Sequence, residues 1–292
     1  MFKGSMVAIV TPFKNNGTEL DEGKLKDLVD FQISNNTFVI VPCGTTGESA
    51  TLSIEEHEKV IDIVIRTAKG KAKVMAGTGS NNTGEAIELT RHAKEAGADG
   101  ALIITPYYNK PTQEGIYRHF KALSDSVDIP LIAYNIASRT GTNITPETMR
   151  RLSTLKNVVA VKEASGDLNQ MAEIRYMCGD DFGLISGDDL LTFPILAIGG
   201  CGVISVIANI IPRDVSDMVS AFMNGDIEKA RERYFKMLPL VKAIFIETNP
   251  IPIKTAMSIL GMIEPDTRLP MCNISEANKD KLKIALSEYG LI

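Results

Sequence analysis

Lys162 is the residue best placed for covalent chemistry in this chain. It closes the run Val158-Val159-Ala160-Val161, and a lysine ending a wholly apolar strand loses its hydration when that strand is enclosed. Burial disfavours the ammonium form and leaves a neutral amine able to attack a carbonyl. Its neighbour Glu163 faces the outer helices by the alternation of side chains along a strand, so it is not the partner of that amine. The plainer alternative is a strand-end lysine that reaches solvent or is neutralised by Asp188 or Asp189. Tyr134 closes the preceding run, Pro130 to Tyr134, one strand away. Forming an imine requires protons to reach and leave a carbinolamine oxygen, which a positioned phenol can relay. A buried tyrosine with a structural hydrogen bond has the same sequence appearance.

Three further strings could bind anions. Gly44-Thr45-Thr46-Gly47-Glu48 sets two hydroxyls between two glycines, so that backbone N–H groups can approach a small carboxylate closely. Gly-Thr turns also occur without any ligand. Ser186-Gly187-Asp188-Asp189 and the cluster Gly199 to Gly202 suit either a phosphate cradle or tight turns.

The elements that must carry these residues are eight short apolar runs: SMVAIVTPF, FVIVPCG, KVMAGTG, GALIITP, PLIAYN, VVAVKEAS, FGLISGDD and GVISVIAN. They are nearly continuous rather than alternating, as strands buried on both faces are. Helical patterns lie between most of them. From Ser53 to Gly70, Val60, Ile61, Val64, Ile65 and Ala68 share one face, and Ser53 with Glu56 makes a capping box. Thr145-Pro146 starts another helix. The repeat predicts an α/β fold, a (β/α)8 barrel over residues 1–223, with active groups at the C-terminal ends of the strands. A doubly wound open sheet competes, but VTPFKNNG is not the glycine fingerprint that such a sheet tends to carry after its first strand. Residues 224–292 hold three helical patterns and form a C-terminal helical region.

Composition narrows the function. A net charge of −5 and a pI near 5.4, with no basic stripe, argue against a nucleic-acid partner. Cys43, Cys178, Cys201 and Cys272 are too scattered for a zinc or redox motif, so no metal is expected. The start MFKGSMVAIVTPF lacks the features of a signal peptide, and no apolar run is long enough to span a membrane. A cytoplasmic location is the expectation.

GTTGE, TPYYNKPTQEG, YNIASRTG, VVAVKEAS, SGDD and GVISV, in this order along the eight strands, resemble the dihydrodipicolinate synthase family of class I pyruvate-dependent lyases. The similarity covers essentially the whole chain. It implies, without a cofactor, condensation of pyruvate with L-aspartate 4-semialdehyde through a lysine Schiff base to give 4-hydroxy-tetrahydrodipicolinate for lysine biosynthesis. On this resemblance Lys162 is the Schiff-base lysine, Tyr134 the proton relay and Thr45 the hydroxyl linking it to Tyr108, which reaches the neighbouring subunit. Thr46 holds the pyruvate carboxylate, and Gly187 and Ile204 line that pocket. Arg139 binds the carboxylate of the second substrate, as a planar fork of donors suits; without the motif it reads as a surface arginine. The family resemblance also implies a homotetramer built from two tight dimers. A pocket for feedback inhibition by lysine matches Ser49, Ala50, His57, Asn81, Glu85 and Tyr107.

Two positions depart from the family pattern. Ala137 stands where proline is common, predicting a less rigid loop around Arg139. Ile54 stands where lysine-sensitive members resemble one another in a polar or aromatic residue, which predicts weak inhibition. His57 itself reads equally as an exposed helix residue. Two other functions compete: a retro-aldol lyase of a sugar acid, N-acetylneuraminate or 2-keto-3-deoxygluconate, with the same Lys162, and a degenerate barrel acting as a binding protein.

Overall fold

The computed structural model describes residues 2–292. Eight parallel strands, β1 Gly4–Ala8, β2 Val39–Val41, β3 Lys73–Gly77, β4 Gly100–Ile104, β5 Leu131–Asn135, β6 Val158–Glu163, β7 Gly183–Ser186 and β8 Gly202–Ser205, close into a barrel. Each pairs with the next in the sequence, and β8 returns to β1. All eight coincide with the predicted apolar runs, and the ring is the expected (β/α)8 architecture.

Among the described residues twelve α-helices accompany them. Around the barrel run α1 Glu22–Ser34, α2 Ile54–Ala68, α3 Thr83–Ala96, α4 Gln113–Ser126, α5 Ala137–Thr140, α6 Pro146–Leu152, α7 Leu168–Cys178, α8 Thr192–Ala197 and α9 Pro212–Met223. The chain ends with α10 Ile227–Ile244, α11 Ile251–Ile259 and α12 Glu276–Tyr289. The local signals operate as written in the sequence. Ser53 and Glu56 complete a reciprocal capping box on α2, and Thr145 accepts from the Thr148 amide with Pro146 in the first turn of α6.

Alternation sorts the strand residues into an inner and an outer layer. Met6, Met75, Leu102, Ile132, Tyr134, Ala160, Ile185 and Ile204 fill the barrel interior. Val161 and Leu184 instead face outward among helix residues such as Met171 and Ile174. On the other flank Val7, Ile40 and Val203 share a single apolar cluster with Met237, Leu240, Val241 and Ile244 of α10, Ile253 and Met257 of α11, and Leu282 of α12. The α10 residues recur at helical spacing, so one face of that helix is laid against α9 and the other C-terminal helices.

Two features differ from expectation. A two-stranded hairpin, Phe13–Lys14 with Glu19–Leu20, follows β1. Its turn uses positive φ at Asn15, Asn16 and Gly17, the residue types that tolerate that region. The glycines from 199 to 202 form no phosphate cradle. They lie at the N-terminal entrance of β8, where a Cβ on Gly202 would sit 2.2 Å from the Gly4 carbonyl and one on Gly200 would sit 2.5 Å from Ile195. Close packing of the chain is what requires glycine there. No helix among the described residues is long and apolar enough to cross a membrane.

Candidate active site

The register of β5 and β6 places Tyr134 opposite Lys162, both pointing into the barrel at the C-terminal ends of their strands. The Lys162 amine lies 4.0 Å from the centre of the Tyr134 ring. Only 6% of Lys162 is exposed. Burial pushes its pKa down to about 7; the charge of Asp189 opposes this shift and Arg139 adds to it. At neutral pH a large fraction of the amine is therefore unprotonated and nucleophilic. Burial pushes Tyr134 up to about 12, against a hydrogen bond from Thr45, so the phenol keeps its proton. The alternative of a lysine reaching solvent does not hold.

Asp189 is also buried, and burial pushes it up to about 6 against hydrogen bonds from Ser205 and the amides of Val206 and Ile207. Those amides donate to its carboxylate at 2.9 and 3.3 Å. In the same turn Ser186 donates to the Asp188 carbonyl and accepts from the Asp188 amide. Ser-Gly-Asp-Asp is thus a closed turn whose nearby donors are taken by the protein's own carboxylate, rather than a phosphate cradle. Gly187 has a steric reason to be glycine: a Cβ there would meet the Lys162 side chain at 3.0 Å. Ile204 lies in the same interior layer and is 1% exposed.

The Gly44–Glu48 loop folds on itself through bonds from the Gly47 amide to the Gly44 carbonyl and from the Glu48 amide to the Thr45 carbonyl. Thr11 donates to the Gly47 carbonyl at 2.7 Å. Thr46 is buried, and its hydroxyl accepts from Asn249 Nδ2 at 2.9 Å. The carbonyl of the same Asn249 accepts from Arg139 Nη2 at 2.9 Å. One residue from the C-terminal segment therefore touches both positions expected to hold a carboxylate. Glu48 adopts a left-handed conformation and accepts from Lys254 at 2.6 Å and from the Arg268 amide at 3.1 Å. Lys254 is fully buried and also donates to the Thr11 carbonyl.

Sequence reasoning missed Asn249 and Lys254. The available signal was the lysine inside the apolar pattern Ile251-Pro252-Ile253-Lys254, which demands a buried partner.

Arg139 sits on the single helical turn α5, which is closed by bonds from the Arg139 and Thr140 amides to the Ile136 carbonyl. The backbone at Ala137 is therefore held by hydrogen bonds, and the Gly141 amide donates to its carbonyl. Thr45, Arg139, Tyr108 and Asn249 line a cavity of about 890 Å³. Ser49, Ala50, His57, Glu85, Tyr107 and Ile54 line the same cavity, and Asn81 donates to the Tyr107 carbonyl. Tyr108 is 88% exposed with φ of 68°.

His57 corrects one expectation. It is buried rather than an exposed helix residue, and burial pushes it down to about 4, so it is neutral at physiological pH. It shares the apolar face of α2 with Val60, Ile61 and Val64 and extends that face one helical turn toward the N-terminus.

A sequence profile of the Dihydrodipicolinate synthetase family matches residues 1–289. The chain belongs to that family. Among curated relatives, the 4-hydroxy-tetrahydrodipicolinate synthase of Syntrophus aciditrophicus (strain SB) is 57% identical over 292 residues, covering 100% of both chains. The crystal structure of dihydrodipicolinate synthase from Aquifex aeolicus superposes with a TM-score of 0.97 at 50% identity, covering 99% of both chains. The Acinetobacter baumannii enzyme complexed with pyruvate gives 0.97 at 42% identity, covering 100% of both chains. These relatives support the family's synthase activity over the sugar-acid lyase alternative.

Proposed function

We propose that this member of the dihydrodipicolinate synthetase family condenses pyruvate with L-aspartate 4-semialdehyde to form 4-hydroxy-tetrahydrodipicolinate. The observation that carries the reading is the desolvated Lys162 amine in register with a protonated Tyr134.

The neutral Lys162 amine attacks the pyruvate ketone, and Tyr134 delivers the proton that lets water leave as the imine forms. Loss of a proton from the pyruvate methyl group gives the enamine, whose carbon attacks the aldehyde of the second substrate. The substrate's own amino group then adds to the imine carbon and displaces Lys162, closing the ring and regenerating the free lysine. One water is lost overall, and no electron donor or acceptor is needed.

In this scheme Thr46 holds the pyruvate carboxylate, with Gly187 and Ile204 shaping the pocket. Arg139 takes the carboxylate of aspartate semialdehyde, and Thr45 links Tyr134 to a Tyr108 contributed by a neighbouring subunit of a tetramer built from two dimers. The exposure of Tyr108 supports that last role. The Ser49, Ala50, His57, Asn81, Glu85 and Tyr107 group would take a lysine effector, with half-exposed Ile54 weakening its grip. Residues 1–223 serve as the catalytic barrel and residues 224–292 as its brace, and the enzyme works in the cytoplasm.

A coupled assay offering pyruvate with aspartate semialdehyde, and separately N-acetylneuraminate and 2-keto-3-deoxygluconate, tests the proposal. Turnover of the semialdehyde is expected. Cleavage of a sugar acid with no semialdehyde condensation would overturn it.

A further inference from the structure

One residue beyond the inward pair Tyr134 and Lys162, on the same two strands, stands an outward pair, Asn135 and Glu163, also in register. Both are fully buried, and neither faces the reacting centre. A buried carboxylate is costly unless its oxygens are bonded. Glu163 meets that requirement with neutral donors. One oxygen accepts from Asn135 Nδ2 at 2.5 Å and Gln170 Nε2 at 3.4 Å; the other accepts from the Ser165 hydroxyl at 2.6 Å and its amide at 3.4 Å.

This arrangement has a directional consequence. With Glu163 accepting, Asn135 presents its NH2 group to the carboxylate, and its carbonyl oxygen accepts from the Ile144 amide at 3.0 Å. The same NH2 group also reaches Asn143 Oδ1 at 2.8 Å. Gln170 brackets the Asn143 amide, accepting at 2.7 Å and donating at 3.2 Å. Asn135 is where the chain leaves β5, and Asn143–Ile144 is where it returns after the turn that carries Arg139. A single amide therefore closes the loop at whose centre the arginine sits, and the carboxylate sets which way that amide faces.

We propose that Glu163 is a positioning residue for the arginine subsite, acting through Asn135 to clamp the 136–144 segment and aim Arg139 at the carboxylate of the second substrate. The inference rests on the reading above that Arg139 takes that carboxylate. The lysine side of the site is supported separately, because the Gly187 amide bonds the backbone carbonyl of Glu163 at 2.7 Å, a contact no side-chain substitution removes. Loss of the carboxylate should therefore separate the two substrates.

Initial-rate kinetics with both substrates varied, borohydride trapping of pyruvate and thermal melting of Glu163→Ala, Glu163→Gln and Gln170→Ala test this. For Glu163→Ala the KM for aspartate semialdehyde should rise roughly tenfold, as expected for lost buried hydrogen bonds. The KM for pyruvate and the yield of trapped Lys162 should stay within about twofold. Gln170→Ala should shift the same KM in the same direction by less, which carries the test if Glu163→Ala fails to fold. Glu163→Gln, which keeps an oxygen for Asn135, should recover most of the affinity. The proposal is overturned if both KM values move together, or if the variants change melting temperature alone. A wild-type enzyme that traps pyruvate yet ignores the semialdehyde would refute the parent reading, and this inference with it.

Discussion

The amine of Lys162 sits between two electrostatic influences that substitution can separate. Burial pushes its pKa down to about 7, and Asp189 pushes back by favouring the ammonium form. Imine formation requires the neutral amine, so kcat/KM for pyruvate should climb as pH rises through about 7 and be lost below it. Asp189→Asn removes the opposing charge while leaving an oxygen for the Val206 and Ile207 amides. The acid limb of the pH profile should then move to lower pH, and a move to higher pH would contradict the assignment. Lys162 and Tyr134 were legible in the sequence because a polar residue ending an apolar strand has few places to go in a barrel. Asn249 was not, because its bond to Thr46 spans 203 residues and nothing local to Thr-Asn-Pro announces it.

Among the elements, the Gly44–Glu48 loop and α11 are joined by the buried pair Glu48–Lys254. Removing one member of such a pair leaves the other charge without compensation. Lys254→Met should lower unfolding stability by about 3–5 kcal/mol, read from urea denaturation, and should loosen Thr46 enough to raise the KM for pyruvate. An unchanged melting curve would show that the pair contributes nothing net. The eight strands and the caps of α2 and α6 were readable because periodicity, flanking glycines and prolines, and capping residues all act locally. The hairpin after β1 was missed although Asn15-Asn16-Gly17 is a turn signal, because the two strands it joins are two residues each and carry no alternation to count. The apolar face of α2 reads in the sequence from Val60 onward, which leaves His57, one turn earlier, outside the buried face.

For the whole molecule, one apolar cluster runs from the barrel wall through α9 into α10, α11 and α12. Three helical patterns without a strand are legible there in the sequence, but period and composition say nothing about which surface each helix covers. Cutting the chain after Met223 would uncover Val215 and Met218 of α9, which now face Met237 and Val241 of α10, and would delete Asn249 and Lys254. Residues 1–223 expressed alone should lack a cooperative melting transition and form no pyruvate adduct. A folded fragment of that length that still reacts with pyruvate would show that the helices are dispensable.

The proposed mechanism depends on where pyruvate becomes attached. Reduction with borohydride in the presence of pyruvate, followed by peptide mass spectrometry, reads that directly. The adduct should appear on Lys162 and disappear in Lys162→Ala. Label on another lysine, or full turnover by the alanine variant, would contradict the mechanism.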